Sequence, residues 1–235
     1  MLVLLSVPCI GEPDRTAGAP ALNVTVQGSI DNGNLGSTFL MNDKQEARDT
    51  AIRIRKKLPF KDQEISSHRI KEIWDSVKGS FNFKNVGFYW PAKGEVSSLP
   101  IIEELLKEGS RCFLPIVSEN PKERRLTFKE FTTNTQLEAN RFNISEPKNG
   151  EEIATKQLDL VFLPCACVDE VGHRIGMGMG FYDKTFEESS ASQQLIALAY
   201  DFQKIDSCFP EKQDVPVDGV ITPSGFCSFY SKKAE

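Results

Sequence analysis

The stretch from Leu158 to Val168, LDLVFLPCACV, limits the possible folds more than any other part of the chain, because Asp159 is the only charge in an otherwise apolar run. A strand with one wet face alternates apolar and polar residues. A strand this uniformly apolar has to be covered on both faces, which points to a parallel sheet with helices above and below. The rest of the chain supplies matching partners. Asn85 to Trp90, Arg111 to Val117, Leu195 to Tyr200 and Gly219 to Thr222 read as further strands.

Helices fall between them. From Asn42 to about Leu58 an Asn or Asp cap precedes early acids and late Arg and Lys, the order that a helix dipole favours. Ser66 to Val77 places Ile70, Ile73, Trp74 and Val77 on one helical face, and Ser98 to Glu108 is closed by Gly109. A helix from about Phe181 to Ser189 follows a glycine-rich loop. Between Pro121 and Pro147 only a short strand, Leu126 to Phe131, stands out, and after Thr222 comes a Gly- and Ser-rich tail. The expectation is an α/β fold: a three-layer, open, mostly parallel sheet with helices on both faces, in a single domain. Residues 1–40 lack any period and read as a flexible leader, with Met41 as a candidate functional start and 41–235 as the α/β domain.

Composition narrows the partners. The formal charge is −5 and the isoelectric point is near 5.3. With basic residues interspersed among acids, this disfavours a phosphate-backbone partner. Leu2 to Val7 is too short to span a bilayer, and it lacks the preceding positive residues of a signal peptide. Six scattered cysteines read as reduced thiols, and Cys165 and Cys167 as core residues rather than metal ligands. A cytoplasmic monomer acting on small molecules is expected, with neither a nucleic-acid nor a membrane partner.

In open α/β sheets ligands bind beyond the carboxyl ends of the strands. The loop after Val168 carries Gly172, Gly176, Gly178 and Gly180 within nine residues, where average usage predicts ~0.6. Such glycines free the backbone to turn successive N–H groups toward one point, and the helix behind them adds its positive end, so a phosphate is the natural guest. An ordinary flexible turn is the plainer alternative. Arg174 before the loop can pair with phosphate, and Asp183 after it can hold Mg²⁺ beside a bound nucleotide. Neither the P-loop nor the dinucleotide glycine pattern is present. Met177 and Met179 fill the gaps, either packing on the sheet or lining a planar ligand.

The run RIGMGMGFYD, Arg174 to Asp183, resembles the arginine-glycine loop of the 5-formyltetrahydrofolate cyclo-ligase, or methenyltetrahydrofolate synthetase, family. Lys44 and Arg48, Glu95 in KGEVSSLPIIEEL, FNISEP, LDLVFLPCACVDEVGHRIG and DVPVDGVIT resemble other pieces of that family in the same order. The resemblance implies an ATP-dependent ring closure of 5-formyltetrahydrofolate to 5,10-methenyltetrahydrofolate, with Mg²⁺ as cofactor and ATP as co-substrate. It implies Arg174 and Asp183 as catalytic residues. Lys44, Arg48 and Arg174 would neutralise the triphosphate, and the segment Gly176, Met177, Gly178, Met179, Gly180, Phe181 and Tyr182 would cradle it. Glu95 would hold the pterin, with Tyr89, Trp90, Phe142 and Tyr182 as candidates to sandwich its ring. Asp183 and Asp218 match the family's magnesium acids. The sequence departs from the family where methionines stand between the loop glycines and where Phe181 replaces a tyrosine. A non-catalytic folate or nucleotide binding protein on the same fold is the alternative.

Overall fold

The computed structural model describes residues 43–190 and 192–229. The leader, Met41 and Asn42 lie outside them. Asp43 is the cap of the first helix: its carboxylate accepts from the N–H groups of Gln45 and Glu46, and Arg55, Lys56 and Lys57 complete the last turn of α1 (Lys44–Lys57). Next come α2 (Phe60–Val77), β1 (Asn85–Gly87), α3 (Leu99–Lys107), β2 (Arg111–Val117) and β3 (Leu126–Phe131). A small hairpin of β4 (Leu137–Ala139) and β5 (Ser145–Pro147) precedes β6 (Glu152–Ile153) and β7 (Leu160–Pro164). The chain closes with β8 (Cys167–Val168), β9 (Arg174–Ile175), α4 (Phe181–Phe186), β10 (Gln194–Leu198), β11 (Gly219–Thr222) and β12 (Gly225–Ser228).

Eight strands form one sheet in the order β12-β11-β10-β7-β1-β2-β3-β6. The five central strands run parallel, and β12, β3 and β6 add antiparallel edges. Alternation along β7 divides the core. Leu160 and Phe162 face α2 and α3, where Ile70, Trp74, Ile101 and Leu105 cover them. Val161 and Leu163 face the other layer, which α4 covers through Phe186, joined by Val168 and Val217. The aromatic centre is Phe162, stacked on Phe88 at 5.1 Å and met edge-on by Trp74 at 5.0 Å.

Several boundaries differ from expectation for physical reasons. The apolar run is two strands, not one: the sheet ladder ends at Pro164, and β8 leaves to pair with β9 in a separate hairpin. That hairpin packs on α1 through Ala47, Ala51, Ala166, Cys167 and Ile175. Helix α2 begins at Phe60, behind Pro59, and not at Ser66, because its first turns are solvated and so carry no apolar period to mark them. The Gly- and Ser-rich tail contains β12, turned back at Pro223-Ser224 to pack the half-buried Phe226 against the core.

Candidate functional site

A cavity of about 870 Å³ opens at the carboxyl ends of the parallel strands, beside Pro164 and Cys165. The glycine loop, residues 176–180, forms one wall and the first residues of α4 another. Gly178 and Gly180 hold φ of 83° and 68°, the left-handed region where a side chain would be strained. Helix α1 supports the loop from below. Arg48 Nε donates to the Gly176 carbonyl at 2.8 Å, and its guanidinium lies against Gly178.

Arg174 is buried at the start of this wall. One of its terminal nitrogens donates to Asp183 Oδ1 at 2.9 Å, its guanidinium lies over the Tyr182 ring at 5.8 Å, and its buried Nε has no hydrogen-bond partner. Lys44 meets Asp214 at 2.5 Å and Glu211 at 3.3 Å. Partial burial alone would depress the Lys44 ammonium, but its bonds to Asp214 and Glu211 outweigh this and raise it. Asp214 is held below the ordinary carboxylate value: the lift from burial is overcome by Lys44, by the Glu211 N–H and by the charge of Arg174. Asp183 also accepts from the Val215 N–H at 3.2 Å, so the two acids stand on adjoining walls. Eight basic and six acidic side chains line the cavity, a basic hollow in an acidic chain.

At the far wall Glu95 is 11% exposed. Its Oε2 accepts from the Ala92 N–H, and its Oε1 lies 3.7 Å from Arg55 Nη2. Burial raises this carboxyl above its usual value, and the charge of Arg55 restrains the rise. Phe142 meets Phe181 edge-on at 5.8 Å, and Tyr182 stacks on Phe186, so both can wall a planar ring. Met177 and Met179 are 39% and 42% exposed and line the cavity rather than packing on the sheet.

Three expected site residues lie elsewhere. Tyr89 is in the core, with its hydroxyl donating to the Val96 carbonyl at 2.6 Å. Trp90 packs edge-on against Phe131 outside the cavity. Asp218 stands at the amino end of β11, the opposite end of the sheet. There its carboxylate accepts from the Leu195 N–H at 2.8 Å, much as Asp159 accepts from Lys84 and Asn85 at the start of the adjoining strands. The acid of DVPVDGVIT that reaches the cavity is Asp214. No group of three or more His, Cys, Asp or Glu suited to a metal exists among the described residues. Asp183 and Asp214 both line the cavity, and one or two carboxylates are the protein share that Mg²⁺ commonly takes, with phosphate and water completing its shell.

Sequence reading missed Arg55 and the loop containing Lys122, Arg124 and Arg125. Arg55 was detectable, since it continues the stripe 44, 48, 51, 55 of α1. Arg124, which donates to the Met179 carbonyl at 3.3 Å, had no local signal. The thiols of Cys165 and Cys167 are buried, pushed up to about 12 by burial. His173 rests on the turn acid Asp169.

A parallel sheet with a basic, acid-studded hollow at its carboxyl ends places the chain among the α/β proteins that take small ligands at strand ends. Within that class it belongs to the 5-formyltetrahydrofolate cyclo-ligase family, whose profile matches residues 40–223. The 5-formyltetrahydrofolate cyclo-ligase of Escherichia coli (strain K12) is 34% identical over 56% of this chain and 73% of its own. The Haemophilus influenzae enzyme of that name is 28% identical over 76% and 96%. The NMR structure of Aquifex aeolicus 5,10-methenyltetrahydrofolate synthetase superposes with a TM-score of 0.70 at 26% identity, covering 82% of this chain and 95% of that one. No helix of the described residues is long and apolar enough to cross a membrane.

Proposed function

We propose that the protein converts 5-formyltetrahydrofolate and ATP into 5,10-methenyltetrahydrofolate, ADP and phosphate. An N-formyl oxygen is a poor leaving group. Transfer of the γ-phosphoryl to it, followed by attack of N10 on the formyl carbon, expels that oxygen as phosphate. Chemistry of this kind needs positioning and charge neutralisation rather than a protein nucleophile.

The observation that carries this reading is Arg174: a buried guanidinium with an unpartnered Nε, at the mouth of a glycine loop and bonded to Asp183. Lys44 and Arg48 add charge on the α1 side, and the loop from Gly176 to Tyr182 offers backbone N–H groups and the start of α4. Asp183 and Asp214 would hold Mg²⁺, which when bound neutralises phosphate oxygens. Glu95 would accept hydrogen bonds from the pterin amino and ring N–H groups, with Phe142 and Tyr182 against its faces.

The direct test is the near-ultraviolet absorbance of methenyltetrahydrofolate. A rise that requires both ATP and Mg²⁺ is expected on mixing with 5-formyltetrahydrofolate, and Arg174→Ala should slow it by ~10²–10³-fold while the protein stays folded. Absence of the rise would remove the proposal. The second reading, binding without turnover, draws on the exposed methionines of the loop. Calorimetric binding of both ligands with flat absorbance would select it.

A further inference from the structure

Arg55 is 1% exposed, yet every direction it points leads toward the cavity wall. Its Nε donates to the Lys93 carbonyl at 3.1 Å and its Nη1 to the Cys165 carbonyl at 3.3 Å. Its Nη2 reaches Met177 Sδ at 3.7 Å, and Glu95 Oε1 also at 3.7 Å. A buried guanidinium is costly unless it serves a carboxylate or a dense set of acceptors. Here the carboxylate is Glu95. The spacing matters, because 3.7 Å is beyond a hydrogen bond, so Oε1 is steadied by charge while its lone pairs stay open to the cavity. The Ala92 N–H fixes the other oxygen at 3.0 Å.

We propose that Arg55 is the positioning residue of this site: it holds the Glu95 carboxylate ionised and oriented toward the reduced pterin, and ties that acid to Met177 of the glycine loop. The inference rests on the reading of Glu95 as the pterin acceptor. Arg55 itself is buried behind the wall and does not line the cavity. Three elements meet at its side chain, the turn carrying Lys93 and Glu95, the end of β7 at Cys165, and the loop at Met177, so its place in α1 fixes the distance between the two halves of the cavity. The groups facing Glu95 besides Arg55 are Lys93 on its own turn, Tyr89, Tyr182, Tyr200 and Cys165. Arg55 and Lys93 are the cations among them.

The test compares Arg55→Met, Arg55→Lys and Glu95→Gln in the full chain, each checked by thermal melting. Loss of the guanidinium should weaken 5-formyltetrahydrofolate binding at least tenfold and leave ATP binding within about threefold. It should move the acid limb of folate binding upward by roughly 1–3 pH units, the reach of an opposite charge at this range. Arg55→Lys should keep most of the pH position but not the affinity, and the Met variant should cost nothing further in a Glu95→Gln background. Equal losses for ATP and folate, or an unmoved acid limb, would overturn the inference. If Arg55→Met does not fold, wild-type folate affinity in Arg55→Lys would overturn it instead. Titration of the Glu95 carboxyl by carbon NMR needs no substrate. An unchanged midpoint in the variant defeats this inference even where the ring closure is absent, whereas absent ring closure alone defeats the proposed function.

Discussion

Asp214 and Asp218 lie four residues apart in one acidic segment, and only geometry separates their roles. Asp214 is bonded to Lys44 at the cavity wall, whereas Asp218 accepts a backbone N–H at the far end of the sheet. Asp214→Ala is expected to abolish turnover with little change in melting temperature. Asp218→Ala should keep turnover near wild type and destabilise by ~1–2 kcal/mol, the cost of stranding a buried N–H. Equal effects of the two on rate would reverse the assignment. The sequence could not distinguish them, because each acid stands beside a valine in the one short segment DVPVDG and the carboxyl end of a strand is a property of the sheet. Lys44, Arg48, Arg174 and Asp183 all line the cavity; the flanks of the glycine loop pointed to Arg174 and Asp183, whereas Lys44 and Arg48 stood out only through the family resemblance and otherwise read as a solvated helix end. Arg55 continues the helical spacing of Lys44 and Arg48, but its basic neighbours made it read as part of a charged helix end.

Elements were legible where burial is two-sided or caps are explicit. Strands β2 and β11 have the ends that their apolar runs imply, β3 has those of its alternating LTFKEF, and Asp43 marks α1. The hidden pieces were those whose pattern depends on a partner: β12 exists because β11 offers an edge, and β8 because β9 returns to it. The glycine loop belongs at this scale too. Gly178 is at φ 83° and faces Arg48, so Gly178→Val combines backbone strain with displacement of that guanidinium. The expected result is a loss of ~1–2 kcal/mol in stability and a rise in the KM for ATP that exceeds the rise for folate. A larger effect on folate would mean that the loop serves the other substrate.

At the scale of the whole molecule, a net charge of −5 and a cavity richer in bases than acids oppose each other. An anionic ligand is repelled at long range and drawn in only near the mouth. Added salt screens both fields, with a reach of about 10 Å at 0.1 M. Because the cavity charges are the nearer ones, the KM for ATP is expected to rise as NaCl goes from 0.05 to 0.5 M, roughly several-fold, with kcat little changed. A KM that falls with salt would put the nucleotide away from this cavity. The Lys44–Asp214 pair adds a pH limit. Asp214 titrates below its unfolded value, so its contribution is complete above about pH 4 and is lost as the pH drops through the depressed value.

That same pair joins residues 170 positions apart, one in the helix that opens the described chain and the other just ahead of its last two strands. A guest lodged against both of them would act as a clasp on the two ends of the described chain, making unravelling of either one and escape of the guest a single event. Occupancy should therefore quench amide exchange in α1 and in residues 211–218 together.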